Sequence, residues 1–175
     1  MRRVRQSLRC AGVVVAIVVL TGCTYEAAVQ QLSPPERAAF HAYSNMMRAG
    51  QVWNYLSKQT PAERAAYLEA IGVAQRFQAL DAQDRDTVLA GFPRKGMSAD
   101  ALRFLWGEPY YTTGYTGRYE HWYYQGSTFS LAQYGNHRSL GGTQVQVSLA
   151  NGRVEWWLEF VPTMEPNEGG GCDGC

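Results

Sequence analysis

Four cysteines and three histidines are the side chains of this 175-residue chain whose chemistry depends most on spacing. Cys172 and Cys175 form a C-x-x-C pair in a glycine-rich end. Such a pair serves as a redox couple when a helix N-terminus lowers one thiol's pKa, or as half of a zinc site when two further ligands join it. The surrounding sequence offers neither, so as metal ligands Cys172 and Cys175 supply half a site at most. In an oxidising compartment, a local disulfide closing a very small ring, or two free thiols, stands against metal capture and a mixed disulfide with another protein. The histidines are isolated: His41 falls in a helical pattern, His121 beside Glu120 in a strand pattern, and His137 in a polar stretch. Alternation along a strand sends His121 and Glu120 to opposite faces, and no phosphate-cradling glycine loop, G-x-S-x-G or H-E-x-x-H occurs. The expectation is a non-enzymatic chain with no catalytic residue, metal or cofactor.

Cys23 has a different context. Arg2, Arg3, Arg5 and Arg9 form a positive start, Ala11 to Leu20 is an apolar run shorter than the ~20 residues a membrane span needs, and Leu20-Thr21-Gly22-Cys23 closes it. This resembles a bacterial lipoprotein signal over residues 1–22, with those four residues as its lipobox. The resemblance implies cleavage before Cys23, a diacylglyceryl thioether on its sulfur and acylation of the new amino terminus. Several acyl chains anchor durably where one binds reversibly. Thr24 is not acidic, which by the same resemblance implies the outer membrane, with the face of that membrane left open.

Without residues 1–22 the chain has roughly 150 residues, one domain's length and enough to bury a core. The leading arginines leave with them, moving the formal charge from +1 to about −3. The remaining basic residues are scattered rather than gathered into the patch that phosphate binding needs, which excludes nucleic acid as a partner. Tyrosine and tryptophan crowd between Tyr110 and Trp157, as they do where a core is joined to an adhesive surface.

Residues 23–32 have few large apolar side chains and no clear period, and are expected to form a short tether. Residues 33–90 read as helical. Ser33-Pro34-Pro35-Glu36 and Thr60-Pro61-Ala62-Glu63 are capping boxes with proline where its missing amide costs nothing, and they open an antiparallel helical pair. Phe40, Tyr43 and Met47 supply one apolar stripe, Tyr67, Leu68 and Ile71 the other, with Trp53, Tyr55 and Leu56 around the connection. A further helix starts at Asp81, carries Val88 and Leu89, and ends at Gly91. From Lys95 to Pro109 the chain reads as a short helix capped by Ser98, stopped by Gly107 and Pro109, with Leu102, Leu105 and Trp106 on one face.

The rest is β-rich. Tyr119 to Tyr124 is an aromatic strand, Thr128 to Leu131 is expected to extend a strand, and Thr143 to Ala150 alternates cleanly up to Asn151-Gly152. That dipeptide predicts a tight hairpin into Arg153 to Phe160. Strict alternation would bury Val145, Val147 and Leu149 with Val154, Trp156, Leu158 and Phe160, leaving Trp157 on a polar face. There it is covered by a loop or helix, or it binds a partner.

The order Gly96-Met97-Ser98, Leu102, Trp106-Gly107-Glu108-Pro109 and Trp122-Tyr123-Tyr124, followed by a hairpin, resembles the small outer-membrane lipoprotein A family, which includes an accessory lipoprotein of the β-barrel assembly machinery. The resemblance spans about residues 91–161, and its glycine, proline and aromatic motifs speak to architecture more than activity. Trp106 stands where that family usually has an aliphatic residue, and the helical segment 33–90 has no counterpart in its small members. The fold expected is α+β: N-terminal helices, a helical pair plus short ones, packed on a C-terminal antiparallel sheet of three to four strands, with residues 162–175 a flexible tail. The function implied is an envelope scaffold or assembly accessory that touches other envelope proteins through Trp157, Tyr110, Tyr111, Tyr115 and the 126–142 loop. An inhibitor or ligand-binding lipoprotein is the second reading, and a periplasmic enzyme the third.

Overall fold

Local capping sets most of the helix starts. Thr60 Oγ1 accepts from Glu63 N at 3.2 Å while Glu63 Oε2 accepts from Thr60 N at 3.0 Å, and Glu36 Oε2 accepts from Ser33 N at 3.1 Å. Asp81, Ser98 and Ser127 each accept from an amide three residues on. These bonds satisfy donors that a helix leaves orphaned at its first turn. The computed structural model describes residues 24–115, 118–135 and 142–162. The signal, Cys23, His137, Cys172 and Cys175 lie outside the described residues.

The elements are α1 (Thr24–Gln30), α2 (Pro34–Ser44), α3 (Ala49–Leu56), α4 (Pro61–Ala70), α5 (Val73–Gln78), α6 (Ala82–Ala90) and α7 (Ala99–Trp106). They are followed by β1 (Tyr111–Tyr115), β2 (Tyr119–Gln125), α8 (Thr128–Tyr134), β3 (Gln144–Ala150) and β4 (Arg153–Phe160). The fold is α+β, and the sheet has four strands in the order β1-β2-β3-β4, every neighbouring pair antiparallel. Its inner face presents Trp122, Tyr124, Val145, Val147, Leu149 and Val154, all buried. Trp106 of α7 meets Tyr124 edge-on at 5.4 Å, and the Arg103 guanidinium lies 4.5 Å over Trp122. Tyr124 donates to Gly107 O at 3.3 Å, and its burial pushes the phenol pKa well up, so the hydroxyl stays a donor that holds the end of α7. Phe40, Tyr55, Phe77 and Phe104 carry the same core into the helices.

Three expectations are corrected. Residues 24–32 do not form a tether: α1 is helical, and Val29 and Leu32 are buried in the core. Arg37 Nη2 donates to Gln30 O and Leu32 O, closing the carbonyl end of α1 as a cation does. Thr128 to Leu131 is helical, not strand, because Ser127 caps α8 and the Glu159 carboxylate accepts from Thr128 N at 2.9 Å and Thr128 Oγ1 at 3.0 Å. An anion at a helix N-terminus outweighs the β-propensity of Thr and Phe.

The third concerns β4. Asn151 (φ 52°) and Gly152 (φ 72°) form the expected hairpin turn, both in the left-handed region that the primed turns require. Leu149 then pairs with Val154 but Ser148 with Trp156, so Glu155 is an extra, bulged residue. One inserted residue exchanges the faces of all that follows. Of the expected buried set on β4, Val154 alone keeps its place. Trp157 and Glu159 turn to the inner face opposite Val147 and Val145, while Trp156, Leu158 and Phe160 turn outward.

Candidate binding surfaces

The bulge builds an aromatic outer face. Reading the register across the sheet, Tyr111 of β1 pairs with Tyr123 of β2, His121 with Ser148 of β3, Ser148 with Trp156, and Gln146 with Leu158. Tyr119, at the end of β2, lies on the same face by strand alternation. Tyr111 and Tyr119 are each 56% exposed, Trp156 42% and Leu158 55%. Tyr111 and Tyr123 rings lie 5.6 Å apart, His121 and Trp156 rings 6.1 Å apart, and the Gln146 amide sits 3.3 Å from His121 Nδ1. Residues paired across this face include no acid and no lysine. Arg153, at the hairpin corner, donates from Nη1 to Gly96 O at 2.8 Å. An apolar, hydrogen-bond-capable platform whose one paired charge, Arg153, stands at its corner has the composition of an interface centre, from which charged residues are depleted.

The structure places the sequence-expected contact residues unevenly. Tyr111 belongs to the platform, and Tyr110, exposed beside it, donates from its hydroxyl to Gln144 Oε1 at 2.9 Å. Trp157 is 37% exposed but on the inner face of the last strand. The side chain of Tyr115 lies outside the described residues, although its backbone pairs with Tyr119. Of the 126–142 stretch, Thr128–Tyr134 is helix α8, and residues 136–141 lie outside the described residues. Sequence reasoning missed Tyr119, His121, Tyr123, Trp156 and Leu158 as one surface. The usable signal was Arg153-Val154-Glu155-Trp156-Trp157-Leu158 itself, where a charge followed by adjacent large apolar residues breaks strict alternation.

A second concavity lies among α1, α2, α3 and α8. It holds about 520 Å³ and is lined by Tyr25, Val29, Val52 and Trp53 on the apolar side and by Glu26, Arg37 and His41 on the polar side. Tyr25 and Trp53 meet edge-on at 5.7 Å. Arg37 uses Nη2 on the end of α1, yet its buried Nε has no hydrogen-bond partner. An orphaned buried donor is costly. His41, one turn on, has its pKa lowered by desolvation.

Among the described residues no group of three or more His, Cys, Asp or Glu converges on a metal position, and no helix is long and apolar enough to cross a membrane. No protein-family model matches the chain, and neither a curated protein nor a solved structure that matches it is found.

Proposed function

We propose that the chain is an envelope lipoprotein, anchored through Cys23 at the outer membrane, that acts without catalysis as a binding and scaffold module. Its partner is another envelope protein, and its role is accessory to outer-membrane protein assembly or envelope integrity. The observation that carries this reading is the aromatic outer face of the sheet, where Tyr111, Tyr119 and Trp156 supply the rigid amphipathic side chains that dominate protein interfaces. The motif resemblance over residues 91–161 and the lipobox supply the location and the family of partners. The test is crosslinking of the native lipoprotein in membranes with identification of partners by mass spectrometry. Barrel-assembly proteins are expected with the native chain, and are lost with Cys23→Ser, which removes the anchor, and with the folded double variant Tyr119→Ser/Trp156→Ser. Recovery that ignores the double variant overturns the surface, and recovery of no envelope protein overturns the function.

The cleft favours a second reading, a ligand-binding lipoprotein. Apolar walls beside a polar side made of Glu26, Gln30, Arg37 and His41 suit an amphiphile, in a cavity of ordinary ligand size. Titration with a long-chain carboxylate would change the fluorescence of Trp53, and Val52→Trp, which fills the cleft, would abolish binding. An unchanged signal in the parent chain overturns this reading.

A further inference from the structure

The sheet has one edge that is half closed. On the side of β4 away from β3, Gly96 N donates to Val154 O, Val154 N donates to Met97 O at 2.8 Å, and Ala99 N donates to Gly152 O at 2.8 Å. Ser98 stands opposite Arg153. The segment 96–99 therefore covers β4 as far as Val154 and then leaves it toward Asp84. Beyond that point, among the described residues, nothing pairs with this edge from Glu155 to Phe160. Trp156, Trp157 and Leu158 are exposed there, as is Val161 just past the strand. Proteins usually blunt such an edge with charged side chains, proline or a bulge. Here the bulge sits at the covered end, Pro162 comes only after the strand, and the charges on the open part are two glutamates, Glu155 and the inward-facing Glu159, whose carboxylate is already held by Thr128.

We infer that this edge pairs with the same edge of a second copy, joining two four-stranded sheets into one of eight about a two-fold axis. This does not rest on the binding surface proposed above: the pairing uses the backbone edge of the strand, although Trp156 and Leu158 belong to both. The axis must be perpendicular to the sheet for the strands to run antiparallel, so the two faces are preserved and only residues of the same face stand opposite each other. That restricts the register to one centred on a residue.

Centring on Trp157 sets Glu155 against Glu159, and centring on Glu159 sets that carboxylate against its own copy; like charges directly opposite are destabilising. Centring on Trp156 requires the edge of Val154, which Gly96 and Met97 already use. Centring on Phe160 runs into Pro162, which has no N–H to give.

Centring on Leu158 meets none of these obstacles. It places Trp156 opposite Phe160 of the second copy on the outer face and Trp157 opposite its Glu159 on the inner face. Leu158 meets its own counterpart, and Glu155 meets Val161. The Trp156–Phe160 pair occurs twice by symmetry, and aromatic cross-strand pairs are favourable. The pairing ends where Gly96 and Met97 begin at one side and where Pro162 stands at the other. The interface is isologous, the commonest form of assembly between identical chains.

The test uses the full chain in its native membranes, with Cys172→Ser and Cys175→Ser to remove background thiols. At the centre of such a pairing, Leu158→Cys meets its own copy across the strands and is expected to give a disulfide-linked dimer on mild oxidation. Trp157→Cys, which faces Glu159, and Tyr119→Cys, exposed away from this edge, are expected to give at least several-fold less. As a second measurement, Leu158→Lys and Leu158→Glu are each expected to be monomeric by native gel when produced alone, and to assemble when produced together. Equal crosslinking at all three positions overturns the inference, as does a folded Leu158→Cys chain that stays monomeric or links only to a different protein. Failure of the lysine and glutamate chains to assemble together, each folded by circular dichroism, overturns the register.

Discussion

Glu36 is bound from two directions: Ser33 donates to it within α2, and Arg64 of α4 reaches across with Nε to Oε1 at 2.8 Å and Nη2 to Oε2 at 3.2 Å. The Arg64 hydrogen bonds, chiefly, and those from Ser33 overcome the opposing effect of desolvation and pull its pKa from the ordinary 4.5 to about 2. Because the folded pKa is the lower one, the unfolded chain binds the extra proton, and stability rises with pH through that interval. The contribution is fully present above pH 4.5 and is lost as pH falls toward 2. Arg64→Leu is expected to cost about 2–3 kcal/mol at pH 7, since it leaves Glu36 and the Lys58 carbonyl without their donor. It should also flatten the acid limb, which urea unfolding at pH 7 and pH 3 would show. Trp106 presents the opposite case, a fully buried indole whose Nε1 has no partner. Trp106→Phe leaves a cavity but removes an orphaned donor, so the net cost is expected to stay under about 2 kcal/mol. Phe104→Ala, with no such relief, should cost about 3–5 kcal/mol in the same denaturation experiment.

Between helix and sheet the decisive connection is Asp84 of α6, which is buried and accepts from Arg94 Nη2 at 2.8 Å and from Ser98 N at 2.9 Å. It holds the segment that caps α7 and pairs with β4, so three elements share one carboxylate. Asp84→Asn keeps the shape but leaves Arg94 without its anion, and is expected to cost about 2–3 kcal/mol. Amide exchange at Ala99 and Val154, whose N–H groups bond across this junction, should accelerate with it. The contrast in what could be read from sequence follows the same division. Ser98, Asp81, the two proline boxes and Asn151-Gly152 act within a few residues of themselves, and their elements stand where their chemistry put them. Helix α1 has only two turns, and its stability comes from burying Val29 and Leu32 and from Arg37, which local pattern cannot display. The Glu155 bulge is equally non-local, because the extra residue is absorbed only when β3 lies on one side and Gly96–Ala99 on the other. The outer aromatic face depends on that bulge, so local sequence singles out the exposed Tyr111 while strict alternation would bury Trp156.

At the scale of the whole molecule, the core runs from Val29 to Val154 and includes nothing after it among the described residues. A chain ending at Pro162 is therefore expected to melt within a few degrees of the full one. Removing residues 24–32 withdraws Val29 and Leu32 and should lower stability by about 2–5 kcal/mol, the usual cost of emptying such core positions. This asymmetry bears on the proposed anchor. With Cys23 lipidated, the folded domain starts at the next residue, so α1, and with it the cleft that Tyr25 and Trp53 line, is held at the bilayer surface rather than hung from a spacer. Inserting ten Gly/Ser residues between Cys23 and Thr24 adds an end-to-end reach of about 17 Å without touching the core. The inserted chain should melt as before, yet a photoreactive side chain at exposed Gln30 should label lipid headgroups several-fold less than in the parent. Unchanged labelling would mean that something other than the distance to Cys23 sets the domain's approach to the membrane, and would shift attention to the exposed residues of α1 and α3 as a direct membrane contact.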